Sequence, residues 1–192
     1  MPERFAPVEA LIVVDMQQGS LTGDEAVADA DRLTSTITDL LRRARQADAL
    51  VVHLQNDGAE GAVDEPGRPG WHLSLAAADE TVVRKTTDDG FAGTSLGALL
   101  VRHRVRRLAI AGVLSEMCVS ATARTALAIG YSVVLPRDAH STYPVDDIPA
   151  PVVARVAEHA LGDDLEAVPM SATVTFVAPL SESGRLRVDD HR

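Results

Sequence analysis

The run Glu9-Ala10-Leu11-Ile12-Val13-Val14-Asp15 constrains this chain more than any other segment. It is aliphatic and β-branched without a polar interruption, and it ends abruptly in a carboxylate. A strand with one wet face would alternate polar and apolar residues. An unbroken run of this length reads instead as a central strand buried on both faces. Ala49–Gln55 reads as a second buried strand, and further strands are expected at Thr81–Lys85, Arg107–Val113 and Tyr131–Pro136, with a short one near Ala167-Val168.

Helical spacing fills the intervals. Leu33, Ile37, Leu40, Leu41 and Ala44 predict a helix from about Ala26 to Ala47. Another begins at Thr94 as N-cap, with Leu96, Leu99 and Leu100 facing inward. A third runs from about Glu116 to Ile129 and stops at Gly130; its residues Ala121, Ala123, Ala126 and Ala128 permit close approach to a sheet. A fourth spans about Pro149 to Leu161, before Gly162. Strands alternating with helices predict an α/β fold: a three-layer α/β/α, Rossmann-like arrangement with a largely parallel sheet of about six strands. With 192 residues the chain suits one domain, taken as 1–180, followed by a polar tail over 181–192.

The formal net charge of −10 repels phosphate backbones, which argues against a nucleic-acid partner. The dense basic stretch Arg102-His103-Arg104-Val105-Arg106-Arg107 is expected to be the exposed end of a helix. No apolar run approaches the length of a membrane span, and the charged start Met1-Pro2-Glu3-Arg4 is unlike a signal peptide. The single cysteine excludes an internal disulfide and suits a reducing, cytoplasmic setting.

In parallel α/β sheets, sites form outside the carboxyl ends of the strands. Asp15 ends the first strand, Lys85 ends the third, and Cys118 follows the fourth at a helix start. Each alone has a plain alternative: Cys118 as a packing thiol, Asp15 as a loop cap, Lys85 as a surface cation. Together they suit nucleophilic chemistry. A cysteine in the first turn of a helix is expected to favour the thiolate, and a lysine nearby adds to this. A carboxylate can take the thiol proton and return it to a leaving amine, and backbone N–H groups beside the cysteine can bind an oxyanion.

Three blocks carry a resemblance: Leu11-Ile12-Val13-Val14-Asp15-Met16-Gln17; Val82-Val83-Arg84-Lys85 through Phe91 and Thr94 to Leu96; and Ala111-Gly112-Val113 through Ser115-Glu116-Met117-Cys118-Val119, continued from Ala126 to Asp138-Ala139. In order and spacing the chain resembles the isochorismatase-like cysteine hydrolases, which include nicotinamidases, carbamoylsarcosine amidohydrolases and streptothricin hydrolases. The likeness runs from Ala10 to Pro179. It implies a catalytic Asp15, Lys85 and Cys118 and hydrolysis of a C–N bond (amide, lactam or ureido) in a small molecule through an acyl-thioester. It also implies a cis Val113–Leu114 peptide, an oxyanion hole made by the N–H groups of Leu114 and Cys118, no organic cofactor, and a homo-oligomer. Gly112 suits the close backbone approach beside such a turn.

Nicotinamidase-like members bind a metal through an Asp-x-His pair after the second strand together with another histidine. Here that place reads Gln55-Asn56-Asp57-Gly58, and His53 and His72 are expected to pack rather than to ligate, so no metal is expected. Trp71 and Phe91 fall where an aromatic often borders the family's pocket; each is either a substrate contact or a plug beneath a loop. Gln17 is a further candidate contact through its amide. Two rivals stand beside C–N hydrolysis: cleavage of another, ester-like bond by the same site, and a catalytically silent partner-binding protein on this fold.

Overall fold

Strand β1 (Ala10–Val14) is buried along its whole length, as its unbroken apolar sequence requires. In this computed structural model, which describes residues 6–23, 25–168 and 170–180, β1 lies between β2 (Leu50–Asn56) and β4 (Arg107–Val113), parallel to both. The predicted polar tail lies outside the described residues. Outside β2 comes β3 (Thr81–Lys85); outside β4 come β5 (Ser132–Pro136) and then β7 (Glu166–Val168). All these pairings are parallel. A seventh strand, β6 (His140–Ser141), pairs with the carboxyl end of β4, Gly112 opposite His140 and Val113 opposite Ser141. Two residues carry no periodicity, so the expectation of about six strands omits this one.

The period-two alternation of β1 divides the core. Leu11 and Val13 join Leu33, Ile37, Leu40, Leu41 and Ala44 of α2 (Ala30–Gln46) on one face. Ala10, Ile12 and Val14 face the other way. They join Leu96, Leu99 and Leu100 of α3 (Leu96–Arg102) and Ala123 and Ala126 of α4 (Ser120–Ala128). Helix α5 (Ala150–His159) packs against the turn that precedes α4 and against β6. This is the predicted three-layer α/β/α architecture. Arg102, Arg104 and Arg106 are exposed at and just beyond the end of α3. Among the described residues no helix is long and apolar enough to cross a membrane.

Two helices begin differently from their sequence expectation. A short α1 (Gln18–Leu21) precedes α2, which starts at Ala30 rather than near Ala26. The Val27 and Ala28 N–H groups are bound to the Ser20 and Thr142 carbonyls, so that stretch bridges α1 to the loop after β6 instead of coiling. The helix expected from Glu116 begins as a π-helical turn over Ser115–Val119, in which the Val119 N–H reaches the Leu114 carbonyl at 3.1 Å. Regular α-helix starts at Ser120. Gly112, just before this turn, has φ +131, and a Cβ there would stand 2.0 Å from the Val14 carbonyl oxygen. Only glycine lets β4 leave the sheet this close to β1.

Candidate active site

Asp15, Lys85 and Cys118 come from three different elements. Asp15 is the first residue past β1 and turns out of the sheet at φ 49, a conformation aspartate tolerates better than most side chains. Lys85 closes β3, two strands from β1, a separation of about 10 Å at normal strand spacing. Its long stem covers that gap across the end of β2, and its Nζ lies 2.7 Å from Asp15 Oδ2. The same ammonium is 3.3 Å from Asn56 Oδ1, 3.2 Å from the Thr87 carbonyl and 3.3 Å from Cys118 Sγ. Cys118 sits on the π-helical turn, and its thiol also lies 3.5 Å from a carboxylate oxygen of the exposed Asp88. The Val113–Leu114 peptide is cis, the feature the resemblance implies. Beyond it the Leu114 carbonyl accepts the N–H groups of Met117 and Val119.

The charges are strongly perturbed. Burial pushes the Asp15 carboxyl above its usual range, and Lys85 only partly offsets this. Burial opposes the charge on Lys85, but Asp15 and then Cys118 outweigh it and hold the ammonium above the ordinary lysine value. For Cys118, burial comes first and the neighbouring Asp15 charge second, and both push the thiol well up against the pull of Lys85. The sequence reading, that a helix start and a lysine favour the thiolate, is therefore corrected: the resting group is a thiol. A helix N-terminus and one cation do not overcome desolvation beside a carboxylate. Asp15 Oδ2 is committed to Lys85, whereas Oδ1 is buried without a hydrogen-bond partner. The thiol is near enough to act on that carboxylate, short of an aligned hydrogen bond. Oδ1 is thus an acceptor beside a thiol that carries a proton.

Gln17, Trp71 and Phe91 make contacts of their own. Gln17 is buried, and its amide is fully used: Nε2 donates to the carbonyls of Asn56 and Trp71, and Oε1 accepts the Asn56 N–H. It ties the end of β2 to the loop above it and has little left for a ligand. Trp71 is half-buried. Its Nε1 donates to Asp57, the Arg84 guanidinium lies 5.1 Å from the centre of its ring, and its carbonyl is also held by Gln55. Phe91 stacks on Tyr131 at 6.3 Å within the apolar cluster beneath α3 and α4. Tyr131 leads into the opposite edge of the sheet. Asn56, Thr87 and Asp88 are site neighbours that the sequence reading did not name. Asn56 ends β2 on the same edge as Asp15 and Lys85, a signal that could have found it.

The donors do not fit the metal that nicotinamidase-like relatives hold. The Asp57 carboxylate is occupied by Trp71 and Arg84, and Asp64 accepts from Asn56 Nδ2. His53 is buried against Glu80 at 2.9 Å, and His72 is exposed. Among the described residues no three His, Cys, Asp or Glu side chains are grouped so as to hold a metal ion.

Sheet, helices and an edge-mounted cysteine beside a buried lysine and carboxylate define a class: three-layer α/β proteins with a cysteine-centred site. Within that class, the chain belongs to the isochorismatase family, whose isochorismatase-domain model matches residues 9–159. It is 57% identical to a streptothricin hydrolase of Streptomyces noursei, an alignment covering 90% of this chain and 66% of that protein, so the chain spans just under two thirds of that relative's length. A ureidoacrylate amidohydrolase of Variovorax paradoxus is 32% identical, covering 68% of this chain and 67% of its own. Among solved structures, an isochorismatase from Pseudomonas putida superposes with a TM-score of 0.75 at 27% identity, covering 91% of each chain. A pyrazinamidase of Pyrococcus horikoshii in complex with zinc superposes at 0.72 and 28% identity, covering 84% of this chain and 99% of its own.

Proposed function

We propose that the protein hydrolyses a C–N bond of a small molecule (an amide, lactam or ureido group) through an acyl-thioester on Cys118. The observation that carries this reading is the convergence of the Lys85 ammonium on Asp15 and Cys118, at 2.7 and 3.3 Å, at the carboxyl edge of the sheet. As the sulfur attacks the carbonyl carbon, the thiol proton passes to Asp15, whose free oxygen is the available acceptor. The raised basicity of a buried carboxylate suits that transfer. Lys85 remains cationic throughout and offsets the negative charge that alternates between Asp15 and sulfur. The developing oxyanion is received by the Leu114 and Cys118 N–H groups on the turn after the cis peptide. Asp15 then protonates the leaving nitrogen, the C–N bond breaks, and the acyl group stays on sulfur. Water enters, gives a proton to Asp15 and attacks the thioester. The acid departs, and the proton returns to the thiol.

Streptothricin is the first substrate to test, because the relative at 57% identity is a streptothricin hydrolase. Ureido compounds come second, on the strength of the ureidoacrylate amidohydrolase. The test is a mass-spectrometric assay of streptothricin and a panel of small amides, lactams, ureido compounds and esters, with Cys118→Ala as control. Hydrolysis adds one water to the substrate, or releases amine, only with the cysteine present. Ester cleavage without amide cleavage would replace the bond assignment. No turnover of any class, with Cys118 inert to iodoacetamide, would favour a silent binding protein.

A further inference from the structure

The turn that carries Leu114 and Cys118 is anchored from behind by a second set of polar residues, none of which touches the Lys85–Asp15–Cys118 group. Ser115 is 2% exposed, and His140 and Glu158 are each 6% exposed. Ser115 Oγ lies 2.8 Å from His140 Nδ1. His140 Nε2 lies 3.3 Å from Glu158 Oε1, a close contact whose angle falls short of an aligned hydrogen bond. The other Glu158 oxygen is held at 2.8 Å by both Arg137 and Arg155. The three residues come from the π-helical turn, from β6 and from α5. The only covalent route among them is the long path through α4 and β5.

Buried polar groups are expensive unless matched, so such a chain persists where it holds something in place. Burial opposes ionisation of Glu158, but His140 and the two arginines outweigh it and keep the carboxyl below its usual range. An ionised carboxylate only accepts, so the His140 Nε2–H faces Glu158. His140 Nδ1 and the Ser115 hydroxyl share the remaining hydrogen bond at 2.8 Å. That fixes the Ser115 side chain, and Ser115 is the residue whose backbone follows Leu114 directly. The same strand, β6, pairs with Gly112 and Val113 on the other side of the cis peptide, and the Gly112 N–H is bound to the Ala139 carbonyl. The turn is therefore clamped on both sides by one two-residue strand, which α5 holds in turn through Glu158.

We propose that Ser115, His140 and Glu158 form a buried hydroxyl–imidazole–carboxylate relay that fixes the Leu114–Cys118 turn in the geometry of the oxyanion site, so that Ser115 and His140 are positioning residues for acyl transfer. The proposal rests on the hydrolase reading for its purpose, but its test does not need the natural substrate. A small aldehyde adds reversibly to a thiol: the S–H bond breaks, a C–S bond forms, and the carbonyl oxygen takes up the proton. The resulting hemithioacetal oxygen occupies the oxyanion position. Alkylation by iodoacetamide also consumes the thiol but places no oxyanion on the turn. It reads Cys118, Lys85 and Asp15 alone.

The experiment measures protection of Cys118 by propanal, alongside the iodoacetamide rate, in the full chain and in Ser115→Ala, Ser115→Thr and His140→Leu. The expected result is that Ser115→Ala and His140→Leu weaken propanal binding about tenfold or more while the alkylation rate stays within about twofold. Ser115→Thr, which keeps the hydroxyl, should bind propanal like the parent, which also guards against a variant that merely unfolds. Unchanged propanal binding in Ser115→Ala overturns the proposal. So does a parallel loss of both readouts that threonine does not restore. A parent protein that hydrolyses amides yet binds propanal no better than free cysteine does also overturns it, by removing the oxyanion role of the turn, while the hydrolase reading survives. Absence of turnover on every substrate class counts against the hydrolase reading alone.

Discussion

At the scale of single residues, the site is a problem in proton placement. Cys118 rests as a thiol because burial and the Asp15 charge both oppose the thiolate. Catalysis therefore needs Asp15 ionised and Lys85 charged at the same time. The Asp15 carboxyl is raised from 3.8, so its ionised, proton-accepting form is lost as pH falls through a value above that reference. The acid limb of kcat/KM is predicted to have its midpoint above the ordinary aspartate range. Lys85 is raised from 10.5, so its charge is not lost below the ordinary lysine range, and no earlier alkaline limb comes from it. A pH–rate profile checks both limbs; an acid midpoint below the ordinary value would contradict Asp15 as the base. Asp15→Asn and Lys85→Ala are each predicted to lower kcat/KM about a thousandfold or more, and the double variant to lose little beyond either one, because the groups act as a unit. Steady-state kinetics of the two single variants and the double variant measure this. Losses that multiply would mean the two residues act independently.

At the scale of elements, the sheet edge is built by backbone register and one indispensable glycine. Replacing Gly112 with alanine forces a Cβ to 2.0 Å from the Val14 carbonyl at a positive φ, so β4 must move from β1. Gly112→Ala is predicted to destabilise the fold by about 2 kcal/mol or more, read as a fall in the denaturation midpoint. A midpoint equal to the parent's would contradict the close packing described. The central strands were legible because burial on both faces leaves an unmistakable apolar run, as in Leu11–Val14 and Leu108–Val113, while the exposed edge strand Thr81–Lys85 was found from its β-branched residues alone; it and Arg107–Val113 fall on the observed bounds. Asp15, Lys85 and Cys118 stood out because chemically active side chains at the ends of β1 and β3 and just beyond β4 share one edge of the sheet. The π-helical turn over Ser115–Val119 was not legible, since it differs from an α-helix by one hydrogen-bond step and the side-chain pattern is nearly the same. The contacts of Asp88 with Cys118 and of Ser115 with His140 span 30 and 25 residues, which no local period reports. The engagement of the Gln17 amide by Asn56 and Trp71 is likewise a long-range contact that no local pattern reports.

At the scale of the whole molecule, a net charge of −10 makes acid behaviour a direct probe of which carboxylates are paired. Glu80 joins Arg45, His53 and the Ala77 N–H where α2, β2 and the start of β3 meet. Burial opposes its ionisation, but Arg45, the Ala77 N–H and His53 outweigh this and hold its carboxyl at about 2, against an ordinary 4.5. A depressed carboxyl contributes stability that is complete above the ordinary value and lost as pH falls toward about 2. Glu80→Gln is predicted to melt below the parent at neutral pH, with the difference closing over that acid window. Thermal unfolding of both proteins across the range checks this; a gap that stayed constant would mean the charge is not what matters.

The account as a whole turns on one covalent bond, between Cys118 and the acyl part of a C–N substrate. The most direct measurement is acid-quenched mass spectrometry of the protein during turnover of a confirmed substrate, followed by peptide mapping. The predicted result is a transient gain equal to the acyl fragment on the peptide containing Cys118, present during turnover and gone when substrate is exhausted. Full turnover by Cys118→Ala, with no adduct at any time in the parent, would contradict the central claim.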